Sequence, residues 1–363
     1  MSFEPIRQLD IENYGCIKKA SFALTPLHAL IGPNDSGKST TLRALRTLAQ
    51  FAAGNFGPEP SHPKPFDPFI GSRPSESILA MKLSDAITYS VQIGDNRQEV
   101  VETVWANQTK GQAKRGCGNS GVLEVSAGIS PAVRDAVHAM KAICTTATMV
   151  RFDPNALRKP TRQLLANEPI QFLDETGLGL ASVYQAINSR DVDAFVAIRD
   201  QVKKFFPTIQ NIRVPTVENN AVVLQVRLID NTLVPAEALS EGLLYFLAFT
   251  ALRHLAESRL FLIEEPENGL HPARIGEVMD TLREIAKTSQ VIIATHSPLV
   301  VNELEGHEVS VVTRDPEQGT RAILLKDVPD FADASKVYRL GEFWVSYCDG
   351  NQEAPLLSEE PRS

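Results

Sequence analysis

The order of apolar and polar positions divides the chain into a strand-rich start, a mixed middle and a strand–helix alternation towards the end. Residues 6–11 alternate in part, 20–24 follow, and 28–31 run apolar into Gly32, so this stretch reads as strands. Beyond residues 32–40, a helical pattern puts Leu42, Leu45 and Leu48 on one face. Six prolines and three glycines between Gly54 and Ser77 predict a loop-like insertion. Segments 78–83, 88–93, 99–105 and 122–125 predict a group of short antiparallel strands, with the Gly/Lys/Asn-rich stretch 106–121 as a mobile loop before the last. Residues 131–144 read as a helix, and 149–153 as a strand stopped by Pro154.

From 177 to 206 the pattern is helical: Phe195, Ile198, Val202 and Phe205 share a face, and Pro207 ends the run. Residues 221–230 and 232–235 predict a hairpin around Asp230-Asn231. Then come a helix at 241–256, a strand at 259–263, a helix at 272–288, and strands at 291–294 and 308–313. That alternation indicates an α/β layer. No internal repeat or sustained heptad pattern is present, so no long coiled-coil arm is expected. The polar, acidic residues from Asp349 onward read as a frayed tail.

Composition narrows the class. With 43% hydrophobic and 22% charged residues among 363, the chain is neither disordered nor collagen-like, and it is long enough for one large domain or two modest ones. A formal charge of −8 excludes a chain that is basic all over, but not a local basic groove. The longest apolar stretch, 242–252, contains Tyr245 and Thr250 and stops at Arg253, too short for a bilayer span. Residues 1–7 lack the order of a signal peptide. Cys16, Cys117, Cys144 and Cys348 are far apart, with no C-x-x-C pair, which fits reduced thiols in a cytoplasmic protein better than disulfides or zinc.

Four motifs carry chemistry. Gly32-Pro33-Asn34-Asp35-Ser36-Gly37-Lys38-Ser39 satisfies G-x-x-x-x-G-K-[ST], with a strand before and a helix after. Its glycines permit a backbone curl whose N–H groups face phosphate oxygens, and the helix adds its positive end. Lys38 would bridge β- and γ-phosphates and the Ser39 hydroxyl would ligate Mg2+. The apolar run 260–263 ends in Glu264-Glu265, a strand tip suited to holding Mg2+ with its first acid and activating water with its second. Leu239-Ser240-Glu241-Gly242 opens a helix, as a small anion site or simply an N-cap. The strand 292–295 ends in His296, at the edge where open α/β sheets bind ligands.

"GPNDSGKST", "LSEG", "LIEEPENGLHP" and "IIATHSP", in that order, resemble the ATP-binding-cassette ATPases, in the non-transporter branch that includes the RecF, SMC-like and OLD proteins. "VRFDPNALRKP" at 150–160 is similar to the central segment of stand-alone bacterial OLD-like ATPases, so the likeness runs from about residue 5 to residue 315. It implies an α/β P-loop NTPase of ABC type: a mixed sheet, an antiparallel β part on the N-terminal side and an inserted, mainly helical subdomain. The expected division is 1–53 (N-terminal core with the P-loop), 54–130 (β-rich), 131–220 (helical insertion), 221–348 (C-terminal core) and 349–363 (tail).

By the resemblance, Gly32, Asn34, Ser36, Gly37, Lys38, Ser39 and Thr40 bind ATP, while Ser39 and Glu264 serve Mg2+. Glu265 is the general base and His296 the switch histidine. Ser240, Glu241 and Gly242 form the signature that meets the γ-phosphate of a second subunit's ATP, and Asn268 and Gly269 belong to a cross-dimer loop. Two departures stand out. The metal-side acid is usually Asp, and the longer Glu264 would shift the metal or interpose a water, slowing hydrolysis. The family's Mg2+-contacting glutamine has no counterpart in 151–155.

A P-loop and a signature in one chain cannot close on the same nucleotide, so the resemblance implies an ATP-dependent head-to-tail homodimer around two ATPs, with higher oligomers left open. Two roles remain open. One is a DNA sensor or clamp, or the regulatory ATPase of a separately encoded nuclease or toxin, in phage defence or DNA repair. The other is a protein-only, ATP-dependent scaffold with little turnover. No membrane partner is expected, and the 67 residues after His296 lack the acidic pattern of a Toprim nuclease. Lys110, Lys114, Arg115, Arg158, Lys159, Lys203 and Lys204 are the basic candidates for a DNA face, although scattered solvated charge is the commoner meaning of such residues.

Overall fold

The computed structural model describes residues 4–53, 76–94, 100–115, 130–144, 147–255, 258–315, 319–328, 331 and 339–341. The Pro-rich insertion at 54–75, the expected strand at 122–125 and the acidic tail lie outside them. The chain separates into two compact units: residues 1–148, 258–265 and 286–363 in the first, and 149–257 and 266–285 in the second.

The first unit contains one six-stranded sheet and, apart from Met149 and Val150 of its edge strand, a second. One runs Ile17–Ala23, Gln8–Tyr14, Glu76–Ser84, Ile87–Gly94, Val100–Ala106, Thr109–Arg115, with every neighbouring pair antiparallel. Glu76–Ser84 alternates strictly between buried and half-buried positions, the signature of a sheet with one packed face. The other sheet runs Gly319–Leu324, Val309–Asp315, Leu27–Ile31, Gln290–Thr295, Leu260–Glu264, Ala147–Val150. Its middle strands, LHALI, QVIIAT and LFLIE, are buried at every position, as strands covered on both faces must be.

The helix Lys38–Ala53 packs on strands of both sheets. That explains why its buried set (Thr41, Leu42, Ala44, Leu45, Thr47, Leu48, Ala49, Phe51 and Ala52) is wider than the single leucine stripe read from the sequence. Tyr14 and Thr47 share a buried hydroxyl–hydroxyl hydrogen bond of 2.8 Å. The buried Gln290 amide joins the starts of the two sheets, accepting from Ile6 N at 2.9 Å and donating to Ile6 O at 2.8 Å and Thr25 O at 3.1 Å.

The expected loop at 106–121 is a strand over its first part, Thr109–Arg115, paired in register with Val100–Ala106. The polar run TKGQAKR gives no alternation to read. The two-residue turn Asn107-Gln108 forms because both residues adopt positive φ (46° and 69°), the twist that matches a tight hairpin.

Within the parallel layer, His28 is fully buried, its Nδ1 3.1 Å from Thr25 Oγ1 and its Nε2 2.9 Å from Ser310 Oγ. Burial, with a smaller contribution from the His307 charge, lowers its pKa from 6.5 to about 3. A depressed histidine favours folding fully above its unfolded pKa and progressively less as pH falls towards the folded value. Lowering pH from 6.5 to 5 should therefore cost about 2 kcal/mol of stability. Urea midpoints across that range should fall for the wild-type chain and fall less for His28→Gln.

The second unit is mainly helical. Its central helix, Glu241–Leu252, is apolar nearly all round and buried from Leu243 to Leu252, hence a core helix. Around it lie Leu180–Arg190, Val192–Phe205 and Pro272–Ile285, with a three-stranded sheet ordered Ile209–Arg213, Gln225–Leu228, Leu233–Pro235. The helical pattern at 177–206 is two helices, because Asp191 leaves helical geometry and caps the second through Ala194 N at 2.9 Å. Ala221–Val222 pairs with Thr161–Arg162 and stays out of the hairpin.

Candidate functional site

The parallel register of the first unit brings three motifs to one edge. Leu30 lies opposite Ala294, and Ala294 opposite Glu264; Ile31 lies opposite Thr295. One residue further along each strand, the chain enters Gly32, His296 and Glu265. The P-loop, His296 and the acid pair therefore leave the carboxyl ends of three adjacent strands, where an open α/β sheet binds its ligand.

The P-loop is shaped by its glycines and by what packs behind it. At Gly37 φ is +110°, and at Asp35 it is 63°. A side chain at Gly32 would meet the Val312 carbonyl oxygen at 1.9 Å, so the strand backbone behind position 32 excludes any Cβ. Lys38 Nζ donates to the Gly32 and Pro33 carbonyls at 2.7 and 2.6 Å, which folds the ammonium over the loop. Ser36 is fully buried, and its Oγ has no hydrogen-bond partner among the described residues. The helix that follows has no acidic residue in its first turn. Its N-terminal N–H groups, which lack intrahelical acceptors by geometry, are thus suited to an external anion. Thr40 Oγ1 contacts the half-buried Cys16 Sγ at 3.3 Å.

Two strands away from the P-loop strand, Glu264 is 5% exposed. Glu265 turns out of the strand at φ 49°, held there by its own N–H donating to Ala294 O at 2.8 Å. A non-glycine residue in this region stores about 1 kcal/mol or more, so the neighbouring strand must hold it. Its carboxylate lies 3.9 Å from His296 Nδ1, with both side chains partly open to solvent. His296 is followed by the buried Ser297, whose N–H donates to Thr295 Oγ1 at 2.9 Å and whose Oγ caps the short helix Pro298–Val301.

Among the described residues no three His, Cys, Asp or Glu side chains form a metal cage. A hydroxyl from Ser39 and a carboxylate from Glu264 would suit Mg2+, which keeps its waters and takes phosphate oxygens together with one or two side chains.

The remaining predicted residues lie in the second unit. Ser240 is exposed at the start of its helix and accepts from Leu243 N at 3.4 Å. Glu241, Asn268 and Gly269 are also exposed. Gly242 and Gly269 are adjacent: a Cβ on Gly242 would sit 3.4 Å from Gly269 O, an ordinary contact. A Cβ on Gly269, at φ +68°, would stand 2.3 Å from the Tyr245 ring. The Tyr245 hydroxyl donates to Phe152 O at 3.2 Å, and Arg158 Nη2 donates to Leu239 O at 3.1 Å. The signature, the Asn268-Gly269 loop and the 152–158 segment thus form one connected patch. Gly269→Ala would strain the backbone by about 1 kcal/mol and displace the ring as well. We expect a loss of at least about 2 kcal/mol in chemical denaturation.

The sequence does not mark Val312 at Gly32, Thr320 at Gly37 or Tyr245 at Gly269, which pack against these motifs, and it offers Arg158 only as a basic candidate for a DNA face. Several other basic candidates also have internal contacts: Lys110 Nζ lies 5.6 Å from the centre of the exposed Trp105 ring, Lys204 Nζ 5.2 Å from that of Phe205, and Lys203 Nζ 4.0 Å from Asp200. Lys114 and Arg115 lie beyond the described side chains. Among the described residues no helix is long and apolar enough to cross a membrane.

Residues 154–302 match the family model described as "AAA domain, putative AbiEii toxin, Type IV TA system", and residues 5–96 match the model described as "AAA ATPase domain". No curated protein sequence matches the chain. Among solved structures, an SMC head bound to the C-terminal winged-helix domain of ScpA aligns at a TM-score of 0.58 and 14% identity, covering 88% of this chain and 97% of that one. An SMC head domain with an extended coiled coil, bound to the C-terminal domain of ScpA derived from Pyrococcus furiosus, aligns at 0.54 and 13%, covering 91% and 99%. The fold is that of the SMC head domains. In this sheet the strand that leads into His296 lies between the strand that enters the P-loop and the strand that ends in the acid pair.

Proposed function

We propose that this chain is an ATP-hydrolysing head that closes head to tail with a second copy around two ATPs. The observation that carries this reading is the convergence of the P-loop, Glu264-Glu265 and His296 at one sheet edge, with Glu265 and His296 3.9 Å apart. Gly32, Asn34, Ser36, Gly37, Lys38, Ser39 and Thr40 cradle the triphosphate, and Ser39 and Glu264 hold Mg2+. Bound Mg2+ would supply charge neutralisation of the phosphates. Glu265 takes the proton of the attacking water, and His296 orients that carboxylate or the water. Ser240 and Gly242 face the partner's nucleotide, with Asn268 and Gly269 beside them. The exposure of Ser240, Glu241, Asn268 and Gly269 supports a contact with a second copy.

ATP then acts as a clamp, closing while the γ-phosphate bridges the subunits and opening when it is lost. The closed dimer would gate DNA or a separately encoded effector, in phage defence or DNA repair. The test is mass by light scattering under Mg-ATP and under Mg-ADP. A dimer with ATP that reverts with ADP is expected, and a mass unchanged by saturating ATP would overturn the clamp. Salt-sensitive DNA binding with DNA-stimulated turnover would place the output on DNA, and neither would place it on protein.

A further inference from the structure

The loop that we read as a phosphate cradle is braced from behind by a hairpin to which no role has been assigned. Strands Val309–Asp315 and Gly319–Leu324 pair antiparallel and reach the loop at several points. Val312 O closes the space beside Gly32. Arg314 Nη1 reaches Asp35 O at 3.5 Å, a contact at the limit of hydrogen bonding. Thr320 does more: it is 1% exposed, and its Oγ1 donates to the Ser36 carbonyl at 3.0 Å. Its Oγ1 and Cγ2 lie 2.9 and 3.2 Å from where a Cβ on Gly37 would stand.

A trans peptide is planar, with its C=O and N–H pointing to opposite sides. Holding the Ser36 carbonyl towards Thr320 therefore turns the Gly37 N–H the other way. Gly37, at φ +110°, has no side chain to resist rotation of that peptide, so something outside the loop must fix it. A loop that binds anions through backbone N–H groups depends on such orientation, because a peptide rotated by half a turn presents an oxygen to the phosphate instead.

We infer that Thr320 is a positioning residue of the nucleotide site: its hydroxyl fixes the Ser36–Gly37 peptide so that the Gly37 N–H faces the phosphates. This rests on the P-loop reading of residues 32–39. Thr320→Val keeps the shape and removes the hydroxyl, whereas Thr320→Ser keeps the hydroxyl and removes the methyl. Binding of a fluorescent ATP analogue, measured with Mg2+ at a temperature where circular dichroism shows each variant folded, should weaken about tenfold in Thr320→Val. It should stay within about twofold of wild type in Thr320→Ser. A residue that only stabilised the fold would lower the melting temperature of Thr320→Val and leave the affinity of the folded protein unchanged.

Wild-type affinity in folded Thr320→Val overturns the inference, and so does an equal loss in Thr320→Ser. If Thr320→Val does not fold, Thr320→Ala replaces it, with the same tenfold loss expected and the same results decisive. Lys38→Ala runs alongside. If it abolishes binding while Thr320→Val binds normally, the positioning role fails and the P-loop reading stands. If Lys38→Ala binds like wild type, the P-loop reading itself fails.

Discussion

Glu265→Gln should hydrolyse ATP at least about a hundredfold more slowly than wild type while binding it as tightly, and should accumulate as a dimer. The amide matches the carboxylate in size and can take its place beside His296, but it cannot accept a proton. The backbone at φ 49° is held by the N–H bond to Ala294 O, which the substitution leaves in place. Binding and closure should therefore survive and only the proton transfer be lost. Phosphate release measures the turnover, and light scattering with Mg-ATP measures the mass. A Glu265→Gln chain that turns over at the wild-type rate would remove the carboxylate from the chemistry. One that binds ATP yet stays monomeric would remove the sandwich.

Lys38→Ala should abolish measurable ATP binding. The ammonium is the positive side chain folded over the loop, within 2.7 Å of two of its carbonyls. On binding it would exchange those carbonyls for phosphate oxygens, forming charge-assisted hydrogen bonds worth roughly twice neutral ones. Removing the charge leaves a triphosphate facing only backbone dipoles. Lys38 is not a core side chain, so the fold should hold and the thermal midpoint without nucleotide should stay close to wild type. Isothermal titration with Mg-ATP reads the affinity. Unchanged binding would show that residues 32–39 are a glycine-rich turn and not a nucleotide cradle.

What could be read from the sequence was what is local. The P-loop announces itself because its spacing, its strand and its helix lie within a few residues of one another. The acid pair and His296 each follow an apolar run that must be buried on both sides, and the parallel sheet is those runs laid together. The polar strand Thr109–Arg115 was hidden because its partner, and not its own alternation, makes it a strand. The break at Asp191 was hidden because a helix-favouring pattern continues across it, and only the capping geometry shows the stop. The props behind the motifs were hidden for a third reason. Thr320 lies 284 residues from Ser36 in the chain, and no periodicity carries information over that separation. The connected patch of Arg158, Leu239, Tyr245 and Gly269 is likewise a product of folding, invisible until the second unit exists.

The strand order has a consequence for synthesis. The strand Leu27–Ile31 is flanked by Gln290–Thr295 and Val309–Asp315, which are translated long after it. Until then both its edges are bare and apolar, and such edges invite pairing with other nascent chains. Translation must run past Asp315 before the central layer can close. Stalled or prematurely terminated products should therefore aggregate or engage chaperones, not persist as half-built heads.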